Sequence, residues 1–253
     1  MMERFSEWLA EGDLGRYLLE REQAYFDGAV ADAFGYHAVQ LGLPGHDFLR
    51  ANRIPLKLVA DPDGPAELAC LPEALPFASN SLDLVVLPHT LDFTTHPHQV
   101  LREVERVLMP EGRVVLTGFN PWSLWGAKRL AAGRYEVPWR GQFLSLPRIK
   151  DWLELMELEP DGGSFMAYAP PFSRGDWLHR FAFMEAAGDR WWPLAAGVYG
   201  ISAVKRMRGL RLITPTWGAA KKAARGLAVA GGNDRHHVAR QAQETDPHDP
   251  GPA

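Results

Sequence analysis

The chain has 253 residues, enough for one α/β domain of about 200 residues with additions, or for two small domains. Its apolar content of 46%, charged content of 23% and net charge of −4 are those of a globular protein and exclude a strongly basic nucleic-acid coat. The single cysteine, Cys70, rules out an intrachain disulfide and a cysteine metal cage, which fits a reducing compartment.

Residues 1–8 have neither a basic leader nor an apolar core, and no run approaches 18 apolar residues, so we expect a cytoplasmic chain with no membrane span. Residues 13–34 predict an amphipathic helix: Asp13 is a fitting N-cap, Leu14, Leu18, Phe26 and Val30 recur at helical spacing, and Gly35 closes it. That places a helical segment at 1–35 ahead of an α/β domain at 36–212. Residues 37–41 predict the first strand, followed by Gly42-Leu43-Pro44-Gly45, and residues 56–60 the second, followed by Asp61-Pro62-Asp63-Gly64. A short third strand is expected at 66–71. Residues 82–87 form the fourth, almost continuously apolar and therefore buried on both faces of a parallel sheet. A helix at 97–109 and a fifth strand at 114–117 complete a βαβ unit, whose crossover should be right-handed. Beyond Gly118 come an aromatic loop with Phe119, Trp122 and Trp125, a helix ending near 158, and two last strands at 165–168 and 198–206. Residues 174–192 read as a helical insertion, and 213–253 as a disordered tail.

Several loops at predicted strand ends carry chemistry. Gly42 and Gly45 would let the backbone approach a ligand, or simply make a turn. Asp61 lies about 20 residues past Gly42, where a carboxylate in nucleotide-binding α/β folds accepts from ribose hydroxyls. Asp-Pro-Asp-Gly is equally a good turn sequence. The segment 88–96 concentrates His89, Asp92, His96 and several hydroxyls. His89 is either a general base or a cap on the strand, and Asp92 and His96 admit the same two readings. These groups with His98 match no zinc spacing, so no metal site is expected. Asn120 either orients an acceptor or terminates a turn. The basic residues between Lys205 and Arg225 read as a solvated end rather than a nucleic-acid surface.

The most specific stretch is residues 72–118. Leu75-Pro76-Phe77 leads into the polar turn Ser79-Asn80-Ser81, then a strand interrupted only by Asp83, a helix, the turn Pro110-Glu111-Gly112 and a second apolar strand. This run resembles the class I S-adenosylmethionine-dependent methyltransferases, the type 11 group in particular, in a bacterial branch with an incomplete glycine loop. The resemblance extends more loosely over 36–206. It implies an α/β, Rossmann-like fold: a seven-stranded, mostly parallel sheet with helices on both faces and the last strand antiparallel. It also implies S-adenosylmethionine over the carboxyl ends of the strands, beside Gly42, Gly45, Asp61, Leu71, Pro72, Leu87 and Pro88. His89, Asp92 and Asn120 would then lie near the methyl group and its acceptor.

Three departures stand out. Two glycines survive in the loop, Gln40 replaces the strand-end acid, and Leu71 stands where relatives carry an adenine-binding Asp. The expected activity is methyl transfer to an unidentified acceptor. The alternative is a non-catalytic methyltransferase-fold protein that binds or regulates. A nicotinamide-dependent oxidoreductase is a weaker third reading, because no Gly-x-Gly-x-x-Gly follows a predicted strand. Oligomeric state is left open.

Overall fold

The computed structural model describes residues 2–132, 136–172, 188, 192 and 195–206. The chain opens with two helices, α1 (Met2–Glu11) and α2 (Asp13–Ala31), separated by Gly12 alone. Three parallel strands follow, β1 (His37–Leu41), β2 (Leu56–Ala60) and β3 (Leu82–Pro88), with no helix in either connection between them. Next come the single turn α3 (Thr90–Phe93), α4 (Pro97–Val107), β4 (Leu108–Phe119), α5 (Leu124–Ala132) and α6 (Leu146–Leu155). The last two strands are β5 (Leu158–Met166) and β6 (Val198–Lys205).

The sheet order is β2-β1-β3-β4-β6-β5, and β6 runs antiparallel to both its neighbours while β1 to β4 are parallel. The mixed α/β architecture and the antiparallel last strand are those expected. The sheet has six strands among the described residues rather than seven. Residues 66–71 contribute only an isolated parallel bridge between Ala60 and Leu68. Pairing stops there because the Glu67 carboxylate, not a backbone carbonyl, takes the Val59 amide at 2.8 Å. The segment 158–166 carries Pro160-Asp161-Gly162-Gly163 and does not look like a strand, yet it pairs along β6. It is an edge strand with a register shift at Pro160/Gly162, where polar residues and glycines are tolerated.

Alternation along β3 and β4 sends side chains to two cores. Leu84, Val86 and Val115 face the core that contains Phe5, Leu9, Leu18 and Phe26 of α1 and α2. Val85, Leu87, Val114 and Leu116 face the core formed with Val100, Val104, Ile149 and Leu153 of α4 and α6. Helices therefore cover both faces. Helix α2 ends three residues earlier than its periodicity suggests. The buried Asn52 amide donates to the Val30 and Ala33 carbonyls at 2.5 and 2.9 Å, beside the Ala33 amide that Val30 already accepts at 3.1 Å, and so fixes the helix end.

The stretch that carries the family resemblance works mainly at the far end of the sheet. Arg106 donates to the carbonyls of Leu75 and Phe77 at 3.0 and 2.9 Å and pairs with Glu103 at 2.8 Å. Asn80 takes a left-handed conformation at φ 55°, and Asn80 and Ser81 donate to Arg106 and Val107 carbonyls at the end of α4. Asp83, the lone acid in an apolar strand, accepts from the Tyr36 and His37 amides at 2.8 and 2.9 Å and so fixes the start of β1. The insertion at 174–192 lies outside the described residues except at 188 and 192, and the tail at 213–253 lies wholly outside them. Among the described residues no helix is long and apolar enough to cross a membrane.

Candidate functional site

The carboxyl ends of β1, β2 and β3 meet around a cavity of about 200 Å³. Gly42, Asp61, Leu71, Pro72 and Thr90 line it together with Met2 of α1 and the carboxylates of Asp63 and Glu73. Gly42 adopts φ 92°, a conformation that disfavours a side chain, and its amide donates to the Ala60 carbonyl at 2.8 Å. Thr90 donates to the Leu41 carbonyl at 2.6 Å, which holds the tip of β3 against the end of β1.

Gln40 explains how the loop keeps its shape with two glycines. Its side chain is fully buried, its amide nitrogen lies 3.0, 3.1 and 2.8 Å from the carbonyls of Gly42, Leu43 and His46, and its oxygen accepts from the Phe48 amide at 2.9 Å. An acid here could not donate to those carbonyls. The side chain that stands where the resemblance led us to expect an acid therefore organises the loop.

Asp61 is 3% exposed. One oxygen accepts from the Asp63 amide at 2.9 Å, and the other has no hydrogen-bond partner among the described residues. Burial raises its pKa above the usual carboxylate value, partly offset by the Asp63 amide. A buried acceptor left open at a cavity wall is costly unless something fills it. A sugar hydroxyl would do so.

His89 at the end of β3 sits in a left-handed turn at φ 54° and is completely buried. Nδ1 lies 2.7 Å from Asp92 Oδ2, and Nε2 lies 2.5 Å from Glu22 Oε1 of α2. The second contact is off the line of a hydrogen bond, so both Glu22 oxygens lack a hydrogen-bond partner among the described residues. We read it as an ionic contact. Burial would push the imidazole down, but the charges of Glu22 and Asp92 outweigh it and bring its pKa up to about 9. Asp92 Oδ2 also accepts from the Phe119 amide at 3.0 Å, so the cluster ties the tips of β3 and β4 together. Phe5 and Phe119 close over the ring at centroid distances of 5.1 and 4.2 Å. A charged imidazole with both nitrogens facing carboxylates positions the loop; in this state it has no free lone pair to accept a proton.

The candidates thus separate into groups. Gly42, Asp61, Leu71 and Pro72 converge on the cavity, with Leu71 58% exposed at its rim. Leu87 is buried in the sheet, and Pro88 ends β3 just below Thr90. Gly45 is turned toward Ser6 of α1 and lies outside the lining. Asn120 donates to the Ala196 carbonyl at 2.9 Å and accepts from the Trp122 amide at 3.0 Å, a loop-closing role at the entry to α5. Met2, Glu22 and Gln40 are the additions. Only the buried setting of Glu22 and Gln40 marks them, and an amphipathic helix shows an isolated acid on its apolar face as the one advance sign.

Residues 57–116 match the family model described as "Methyltransferase domain". An uncharacterised Escherichia coli K12 protein, YafS, is 34% identical over 151 residues, covering 58% of this chain and 62% of that one. A ubiquinone/menaquinone biosynthesis C-methyltransferase of Cupriavidus taiwanensis is 31% identical over 97 residues, 36% of this chain and 39% of that one. The chain thus spans less than two thirds of these relatives. Among solved structures, a SAM-dependent methyltransferase from Thermotoga maritima superposes with a TM-score of 0.58 at 16% identity, over 81% of this chain and 100% of that one. The geranyl diphosphate C-methyltransferase of Streptomyces coelicolor, solved with S-adenosyl-L-homocysteine, gives 0.51 at 13% identity, over 74% and 77%.

Proposed function

We propose that the chain, which matches the methyltransferase domain model over residues 57–116 and shares the fold of solved S-adenosylmethionine-dependent methyltransferases, is a class I methyltransferase that binds S-adenosylmethionine at the ends of β1 to β3 and transfers the methyl group to an acceptor. The carrying observation is Asp61: a residue only 3% exposed would be the wrong place for an unpaired carboxylate oxygen unless a donor arrives there. Asp61 would accept from the ribose hydroxyls, the Gly42 turn would lie under the methionine arm, and Leu71 and Pro72 would flank the adenine through apolar contact. With Leu71 unable to accept from the adenine amino group, base recognition falls to shape and backbone.

The cofactor supplies a methyl group on a sulfonium, already activated for displacement. What the protein adds is positioning and exclusion of water. The β3 tip, locked by Thr90 and by the His89 cluster, is the rigid floor on which a near-attack geometry depends. At that floor the charged His89 imidazole offers no free lone pair, which suits an acceptor that is already nucleophilic or releases its own proton to solvent. Calorimetry with S-adenosylhomocysteine on the wild type and on Asp61→Asn tests the binding reading. The wild type should bind, and the variant should bind roughly tenfold to a hundredfold more weakly, as loss of a hydrogen bond worth about 1–3 kcal/mol requires.

A second reading is favoured by Leu71: a methyltransferase fold that binds the cofactor as a structural or regulatory ligand. Transfer of labelled methyl onto extract components, reduced at limiting cofactor in Asp61→Asn, would exclude it.

A further inference from the structure

Helix α1 is built as a separate piece. Gly12, extended at φ −98° and ψ 151°, is all that joins it to α2. Its buried side chains Met2, Phe5 and Leu9 point down on the strand ends. Phe5 packs on His89, Phe93 and Phe119 with ring centroids 5.1, 4.8 and 5.9 Å away, so α1 roofs the tips of β3 and β4. Met2 goes further. Its Cε lies 2.9 Å from where a Cβ on Gly42 would stand, and Thr90 Oγ1 lies 3.5 Å from the same point. The Met2 thioether therefore fills the slot between the glycine turn and the β3 tip. The space left beside it is about 200 Å³, below the roughly 300–1,000 Å³ of pockets that hold drug-sized ligands.

Resting on the cofactor reading above, we propose that α1 is a hinged lid and Met2 its plug: S-adenosylmethionine enters only when α1 swings about Gly12 and the Met2 side chain leaves the slot that the cofactor's own methionine arm then takes. The docked position depends on shape. A Cβ on Gly15 of α2 would meet the Trp8 carbonyl oxygen at 2.1 Å and Leu9 Cα at 2.8 Å, so the two helices touch backbone to backbone only because residue 15 has no side chain. A lid held mainly by apolar packing and one glycine contact can open without breaking a buried ion pair. The rigid floor beneath it, with the Glu22–His89–Asp92 cluster, stays in place.

Two variants act on the lid in opposite directions. The Ser6 Oγ lies 3.2 Å from the Cβ position of Gly45, close to the about 3 Å that a disulfide sets between one Cβ and the partner sulphur. Ser6→Cys with Gly45→Cys, in a Cys70→Ser background, should therefore lock α1 shut on oxidation. Gly15→Ala favours α2 as a helix but leaves no room for docked α1. Tritiated S-adenosylmethionine binding is compared between the oxidised and reduced forms of the one double-cysteine protein, and between wild type and Gly15→Ala. The lid predicts at least tenfold slower association in the oxidised form, recovery on reduction, and faster association in Gly15→Ala. Equal association in the two redox states overturns the lid and leaves the cofactor reading standing. Absence of binding in wild type, reduced protein and Gly15→Ala alike overturns both.

Discussion

Asp61 and His89 are both buried ionisable groups at strand ends, and they respond to pH for different reasons. The raised pKa of Asp61 means that the native state keeps its proton to a higher pH than the unfolded chain does. Stability from this group therefore falls as pH rises above the usual carboxylate value. Asp61→Asn removes that penalty while keeping an oxygen for the Asp63 amide, so at pH 7 the apo variant should melt above the wild type even though it binds cofactor less well. A lower melting temperature would mean that Asp61 serves the fold rather than a ligand. His89 works over a higher range. Its folded pKa of about 9 exceeds the ordinary value near ~6.5. Its stabilisation is complete below that ordinary value and is lost as pH rises through 9. Asp92, raised by burial, acts with the same sign on the acid side. Melting temperature should thus decline between pH 6.5 and 9. Glu22→Gln, which removes the largest influence holding the imidazole charged, should move that decline to lower pH. A Glu22→Gln pH profile superimposable on wild type would contradict the cluster.

At the scale of elements, the stretch 75–87 shows how a sequence signature and a functional site come apart. Its polar turn caps α4, its Asp83 starts β1, and Arg106 clamps its lead-in. Arg106→Met should cost about 1–2 kcal/mol, because two carbonyl contacts and a partly exposed ion pair are lost together. Urea melts would show it, and a change below ~0.5 kcal/mol would mean that the turn holds itself. The parallel strands, α4 and the position of β6 were legible because buried strands and an amphipathic stripe leave periodic patterns, whereas the antiparallel direction of β6 followed only from the family resemblance. Three features were not. Residues 66–71 have strand-like composition, but the Glu67 side chain interrupts pairing. The strand at 158–166 hides its type behind Pro160, Gly162 and Gly163, which only an edge position tolerates. Helix α1 is short, and its docking depends on Gly15, a contact without any pattern along the chain. The site was legible in part for a similar reason. Gly42 and Asp61 follow strands directly, so order along the chain predicts their meeting, whereas the burial of His89 depends on Glu22, 67 residues earlier and on another element.

For the whole molecule, the sheet order, the single antiparallel strand and the helices on both faces make the scaffold of a class I methyltransferase, and the cavity lies where such open sheets bind ligands. Met2 of the first helix, α1, lines that cavity. Under the proposed lid the cofactor would compete with α1, so affinity should be lower than the site alone would give, yet binding should still stabilise the fold by mass action. The direct test is the melting temperature of the full chain with S-adenosylhomocysteine, against NAD as a control. At about 100 times the dissociation constant a ligand adds about 2.7 kcal/mol, which for a domain of this size is a rise of at least about 5 °C. The account predicts that rise with S-adenosylhomocysteine, its reduction in Asp61→Asn, and none with NAD. No rise at millimolar S-adenosylhomocysteine, or an equal rise with NAD, would contradict it.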